Sequence, residues 1–406
     1  MRDVAVVGIG MTRFGKFLEK GIKALVGEAV TGALSDAGIN KQAIEAAYVG
    51  NCMAGLMTGQ EAIRGQVTLA PLGIDTIPIF NVENACASSS TAFHLGWLGI
   101  ASGQYDCVLI VGFEKLYDAD KGKSFLALSS AIDVESGSTF LEDFARRQGV
   151  TGEILQGGSG ESRSIFMDMY SYWLRPYMDN YGLTQEHFAK LCVKSHRNAA
   201  HNPHAQYQKE VTFEEVMHSG DVVFPLTRMM CAPIGDGAAA TILCSKERAA
   251  AFTRQPVWVA ASVVGSGSMD SKEDNIATKL APKAYEMAGI GPADVDVVEV
   301  HDATAPSEIM SLIQVGLCLG EDSGAWIDRG AFDLDGTIPS NPSGGLQSKG
   351  HPVGATGLGQ ITEIVTQLRG RAGARQVNAP KVGMTQNGGG ILGADAAAMA
   401  LHLFKV

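Results

Sequence analysis

No CxxC pair occurs in this 406-residue chain, and its seven cysteines are scattered and odd in number. A zinc ribbon or an internal disulfide framework is therefore not its organising device. Excess positive charge is missing too: 32 Lys and Arg stand against 43 Asp and Glu, for a net charge of −11. Without a basic run to follow a phosphate backbone, nucleic acid is not an expected partner. Apolar stretches are broken by Gly, Ser or charge well before the roughly 18 residues that a membrane helix needs, so no span is expected. The opening MRDVAVVGIG reads as a strand entering a glycine turn and resembles neither a secretory signal nor a transit peptide. The closing LFKV is not a peroxisomal address. A cytoplasmic protein is expected.

What is present is a globular profile, 46% hydrophobic with 49 glycines. The length predicts two core units or one unit doubled on itself. Short β-branched runs at 3–8, 47–50 and 107–111 read as buried strands. Small-residue stretches at 22–37, 89–101 and 277–288 read as helices, the last with a kink expected at Pro282. This alternation predicts an α/β fold whose strands are covered on both faces. From 117 to about 204 the sequence turns polar, aromatic and glycine-rich, including the run GGSGESR at 157–163. That stretch reads as an insertion or lid. A second α/β half begins near Val257. ACASSSTAFHLG (85–96) and GHPVGATGLGQ (350–360) echo each other as small-residue turns entering helices. A doubled chain would place those two helix starts side by side.

Chemistry concentrates in four places. Cys86 lies between the strand-like 77–82 and the helix-like stretch from Ser88, where free N–H groups and the helix dipole favour thiolate over thiol. A lone cysteine is more often just buried, so it needs a base to count as a nucleophile. His351, in SKGHPVGATG, is held extended by Pro352 and flanked by glycines, which displays an imidazole at a rigid point. His301, in VVEVHDAT, follows the apolar run 295–300 and should stand at a strand's carboxyl end, where α/β sheets gather ligand sites. Each histidine could equally be a satisfied structural residue. The late QNGGGILG (386–393) reads as a flexible turn able to aim N–H groups at an oxyanion.

Together, ENACASSSTAF, PLTRMMCAPIGDGAAATIL (225–243), EVHDAT (299–304), NPSGGLQSKGHPVGATGLGQ (341–360) and NGGG (387–390) resemble the thiolase family, from Val4 to Leu401. The HisAsp form of the third motif, with SHRNAAHNP (195–203), resembles the sterol-carrier-protein-x and lipid-transfer branch. The resemblance implies a thiolase fold: two duplicated βαβαβαββ halves in a layered αβαβα arrangement with an inserted loop domain. Its expected boundaries are 1–116 and 205–255 for the first half, 117–204 for the insertion and 256–406 for the second half. A homodimer is implied, with acyl-CoA and CoA as substrates, coenzyme A as co-substrate, no permanently bound cofactor and no metal. In the implied ping-pong cleavage of a 3-ketoacyl-CoA, His351 deprotonates Cys86 and His301 stabilises the leaving enolate. The N–H groups of Cys86 and of a glycine in 388–390, with Gly388 and Gly389 the candidates, form an oxyanion hole. Losing one such donor costs ~2.7–4 kcal/mol.

One departure stands out. The family's second, proton-transferring cysteine is missing: the late motif offers Gln386 or Asn387, and Ala303 follows His301-Asp302. General acid–base catalysis contributes roughly 10²–10⁴-fold, so His301, a water or Cys52 must substitute, or the reaction differs. Phe166, Tyr170 and Trp173, in an aromatic stretch of the insertion, are expected to wall an acyl pocket for a bulky or aromatic group; the alternative is that they pack the insertion's own core. Proteins of this kind resemble subunits that work with a small OB-fold and zinc-ribbon partner. Two other functions stay open: a CoA-independent acyltransferase or a C–C lyase acting on a side chain, and a non-catalytic lipid-binding subunit.

Overall fold

The computed structural model describes residues 1–147, 159, 162–252, 255–269 and 275–406. Eleven strands form among them: β1 (Val4–Met11), β2 (Ala46–Gly50), β3 (Ile79–Val82), β4 (Cys107–Glu114), β5 (Asp221–Val223), β6 (Leu226–Thr227), β7 (Gly237–Ser245), β8 (Val257–Ser266), β9 (Val297–Glu299), β10 (Val382–Leu392) and β11 (Asp395–Lys405). Nine of them make one sheet in the order β3-β2-β4-β7-β1-β8-β11-β10-β9. The doubling is visible in the pairing. β2 runs parallel to β4, then β7 and β1 follow antiparallel. In the second half β9 runs parallel to β10, then β11 and β8 follow antiparallel. A single parallel bridge between Val298 and Ser340 stands where β3 stands in the first half. The halves join where β1 meets β8, through Ala5 with Trp258 and Val6 with Val257.

Alternation along the strands explains the layers. Ala5, Val7, Leu109 and Val111 pack against Leu25, Val26, Ala29 and Val30 of the outer helix Ile22–Ala37. Val4, Val6, Val108 and Ile110 point the other way, onto a central layer made of the helices Ser88–Ala101 and Thr356–Leu368. That layer is shared, because Val297 and Phe404 of the second half close on the same cluster. Beyond the second half-sheet lies the helix Ile276–Ala288, with Leu280 and Ala284 beside Leu401 and Leu403. It runs on through Pro282 rather than ending there. Strands buried on both faces show no polar alternation in sequence, which is why they read as continuous apolar runs.

Within 117–204 the described residues are mostly helical: Lys121–Ser129, Phe140–Arg147, Ile165–Tyr181 and Gln185–Ala200. Most of the glycine-rich run 157–163 lies outside the described residues. Gln185–Ala200 buries Phe188, Leu191 and Cys192 in the core of the second half. No helix among the described residues is long and apolar enough to cross a membrane.

Candidate active site

The two echoing segments do meet. Cys86 sits in a 3-10 turn, Ala85–Ala87, that leads into the central helix Ser88–Ala101. A second 3-10 turn, Val353–Ala355, just past His351, leads into its central neighbour Thr356–Leu368. Backbone geometry singles out the first turn: Ala85 takes φ 48, a left-handed conformation that costs an alanine of order 1–3 kcal/mol and is typical of functional sites. Ser88 holds that turn, accepting the Asn84 N–H at 3.0 Å and donating to the Ala85 carbonyl at 2.6 Å.

His301 arrives from the carboxyl end of β9, where the backbone leaves the sheet. Sγ of Cys86 and one ring nitrogen each of His301 and His351 lie within 4.8 Å of one another. The imidazoles stand perpendicular, with ring centroids 5.2 Å apart. All three side chains open onto a cavity of about 620 Å³.

Hydrogen bonds assign the ring protons. Thr356 Oγ1 lies 2.7 Å from Nδ1 of His351 and gives its own proton to the Pro352 carbonyl at 3.1 Å. The hydroxyl therefore accepts from Nδ1–H, leaving Nε2 of His351 as the free base. His301 is set the opposite way. Asn387 Nδ2 donates to its Nδ1 at 3.0 Å, so its proton is on Nε2, as a donor facing the site. Asn387 is itself oriented by Ser90, whose hydroxyl donates to Oδ1 at 2.8 Å. The trio is close enough to share a cation, but the Asn387 bond leaves His301 no free lone pair, so the arrangement favours proton chemistry over metal binding.

Burial pushes the Cys86 thiol up to about 12, against the opposing donation of the Gly390 N–H and its own N–H. His351 is held well below the ordinary imidazole range by burial, with His301 and Lys349 adding to the effect. Burial also brings His301 down to about 4. The resting pair is a thiol beside a neutral base. The thiolate expected from the helix start is overruled, because desolvating the sulfur outweighs the dipole and the two donors.

The late glycine run is not a turn. It lies inside β10, where Gly388 pairs with Met399 and Gly389 with Ala398 across β11. Gly388, Gly389 and Gly390 all line the cavity, and it is the Gly390 N–H that favours the ionised sulfur. Gly389 is where the strand passes closest to the Cys86 turn: a Cβ there would clash with Asn84 O and lie 2.6 Å from Ala87 N.

Phe166, Tyr170 and Trp173 line the cavity from one face of the helix Ile165–Tyr181. Tyr172 on the other face is fully buried with Phe140 and Phe144, so this helix both walls the cavity and packs its own core. Ala303 lines the cavity too, whereas Cys52 does not.

Beneath the site, buried polar groups tie the loops together. Lys349 Nζ meets Glu299 Oε2 at 3.1 Å, a buried pair two residues before each catalytic histidine candidate. Glu114 accepts the N–H of Met53 at 3.1 Å and of Gly354 at 3.0 Å, bridging the Cys52 loop to the His351 turn. Burial raises its carboxyl to about 7, opposed by those donors. Sequence reasoning missed Thr356, Glu114 and the orienting role of Asn387. Only Thr356 left a signal, as a hydroxyl one helical turn beyond Pro352.

Fold and centre together define a doubled, layered α/β enzyme built around a cysteine and two histidines. The family model described as the thiolase N-terminal domain matches residues 4–247, and that of the thiolase C-terminal domain-like family matches 265–401. The chain belongs to the thiolase family, a family of acyl-CoA acyltransferases. It is 38% identical to an acetyl-CoA acetyltransferase of Methanothermobacter thermautotrophicus, covering 100% of both proteins. It is 36% identical to human sterol carrier protein 2, over 95% of this chain and 70% of that one, which agrees with the branch that the HisAsp motif indicated. The fold is shared with an Ltp2-ChsH2(DUF35) aldolase (TM-score 0.78, 21% identity, 98% and 97% coverage). It is shared as well with the human mitochondrial 3-ketoacyl-CoA thiolase in complex with CoA (TM-score 0.69, 17% identity, 100% and 98% coverage).

Proposed function

We propose that this enzyme is a 3-ketoacyl-CoA thiolase that cleaves a bulky or aromatic 3-oxoacyl-CoA with free CoA, through an acyl group carried on Cys86. The observation that carries this reading is the convergence of Sγ and two differently protonated imidazoles, within 4.8 Å, on one cavity. His351 Nε2 takes the thiol proton as Sγ attacks the keto carbonyl. The N–H groups of Cys86 and of the β10 glycine run receive the oxygen of the resulting tetrahedral adduct. His301 Nε2–H holds the thioester oxygen as the C–C bond breaks and the enolate leaves. A neutral imidazole donor suits that role, because a charged one would have to be desolvated in the buried site. CoA then attacks the acyl-Cys86 thioester and restores the thiol.

The substrate class is drawn from the wall formed by Phe166, Tyr170 and Trp173, whose ring faces favour flat or bulky groups. A homodimer is part of this reading, supported by the open outer edge of β3, where Phe80 is 43% exposed. So is a small OB-fold and zinc-ribbon partner, supported by the likeness to the Ltp2-ChsH2(DUF35) aldolase, whose name joins two components. The same name favours a second reading, a C–C lyase that acts on a side chain and needs no acyl-enzyme.

One experiment separates the two. The protein is incubated with acetoacetyl-CoA and with aliphatic and aromatic 3-ketoacyl-CoAs, and intact mass and CoA-dependent thioester cleavage are followed. An acyl adduct lost in C86A, with the fastest turnover on aromatic or bulky substrates, is expected. Cleavage without an adduct would favour the lyase. Turnover best on acetoacetyl-CoA would remove the bulky-substrate claim alone.

A further inference from the structure

Cleavage leaves a carbanion that must gain a proton, and neither position of the family's second cysteine can give one. Gln386 and Asn387 occupy the late strand, and Ala303 follows Asp302. Within the cluster, His301 cannot supply it either. Its Nδ1 accepts from Asn387, so releasing the Nε2 proton would leave an imidazole anion. Cys52 does not line the cavity. Cys231 does, but it is not part of the 4.8 Å cluster, and its thiol is directed at the Thr227 carbonyl, 3.5 Å away.

We propose that His351 alone handles both protons of the cleavage, taking one from Cys86 and delivering it to the α carbon of the departing acyl-CoA. This rests on the thiolase reading above. The geometry follows from connectivity. The α carbon is one bond from the carbonyl carbon that Sγ attacks and two bonds from the thioester oxygen that His301 holds. It must therefore lie between Sγ and the His301 nitrogen, and the His351 nitrogen is within 4.8 Å of both. Thr356 keeps Nδ1 occupied throughout, so the same Nε2 faces both partners.

The step balances without another group. Sγ bonds to the keto carbon while its proton goes to Nε2. The bond between the α and keto carbons breaks, and its electron pair passes into the enolate. Nε2–H then protonates the α carbon, and the imidazole is neutral again. When CoA attacks the acyl-enzyme, its thiol proton goes to Nε2 and from there to the Cys86 sulfur. In the synthetic direction, His351 removes the α proton of an acyl-CoA and returns it to the sulfur.

The test uses acetyl-CoA in deuterated water, reading incorporation of deuterium at the methyl group by mass, beside the acetyl adduct on Cys86. Wild-type enzyme should show both. H351N should lose exchange by roughly 10²–10⁴-fold, the worth of one general acid–base group. C52S and C231S should retain it, and added imidazole should restore part of it to H351A, which a folding defect would not allow. Exchange that survives in H351N, fails to return to H351A with imidazole, or vanishes in C52S or C231S while Cys86 still takes the acetyl group overturns the proposal. If wild-type Cys86 takes no acyl group from any acyl-CoA, the thiolase reading itself fails, and that outcome is distinct from the others.

Discussion

The Cys86 turn and the His351 turn are built on one plan and made to differ by what surrounds them. Each passes through a 3-10 turn into a central helix, and the two helices pack side by side between the half-sheets. The Cys86 turn is strained at Ala85 and is covered by a glycine from elsewhere, Gly389 of β10. The His351 turn carries its own glycine to its neighbour: a Cβ on Gly354 would lie 2.5 Å from Phe113 O at the end of β4. Hydroxyls serve the turns differently as well. Ser88 closes the shape of the cysteine turn, whereas Thr356 selects which nitrogen of His351 is bare. A duplicated scaffold thus supplies two equivalent positions, and the chemistry at each is set by what packs against it.

Three experiments would break or sharpen that comparison. The largest effect is expected from G389A, whose new methyl would push β10 off the cysteine turn and pull N–H donors away from the oxyanion. Thiolysis should fall roughly 10²–10³-fold. G388A should stay near wild type, because its methyl would meet nothing closer than Met399 Cε at 3.6 Å. Equal losses in the two variants would refute the close-approach argument. Next, T356V should lower kcat about 10-fold with little change in KM, because a freely rotating imidazole is less often in position. By contrast S88A should act mainly on stability, by about 1 kcal/mol for its lost hydrogen bonds, seen as a lower Tm. A T356V enzyme with unchanged kcat would mean that the tautomer is set elsewhere.

The third experiment reads stability alone and concerns Glu114, which ties the His351 turn to the Cys52 loop. Its carboxyl is raised from the ordinary value of 4.5 to about 7 in the folded protein. Between those values the folded state keeps a proton that the unfolded state has released. Its contribution is therefore complete below pH 4.5 and is lost as pH rises through 7, by about 3 kcal/mol at most. E114Q cannot ionise, so the Tm advantage of wild type over E114Q should shrink across that range. Parallel Tm curves against pH would show that Glu114 stays ionised in the fold.

Much of this was legible beforehand. The expected helix 22–37 matches Ile22–Ala37, because Gly38 in the left-handed region gives it a sharp end. Cys86, His301 and His351 could be picked out because glycine, proline and small residues mark their turns, and the structure brings all three together. Phe166, Tyr170 and Trp173 share a face because their spacing follows the helical repeat. The NGGG stretch misled, since glycine favours turns locally, and only pairing with β11 along its length makes it a strand. Asn387 was unreadable as the partner of His301, being 86 residues distant in sequence.

Residue order by itself determined the α/β class and singled out Cys86, His301 and His351 as candidates, because periodicity and turn chemistry act over a few neighbours; the layering and the doubling were implied by the family resemblance. Tertiary structure decided where the other protons reside. A thiol held near 12 and an imidazole protonated at Nε2 follow from burial and from a hydrogen bond between distant segments, whereas the bare Nε2 of His351 is set locally by Thr356. A linear polymer has no interior, so it carries neither the desolvation nor the pairing that sets those states.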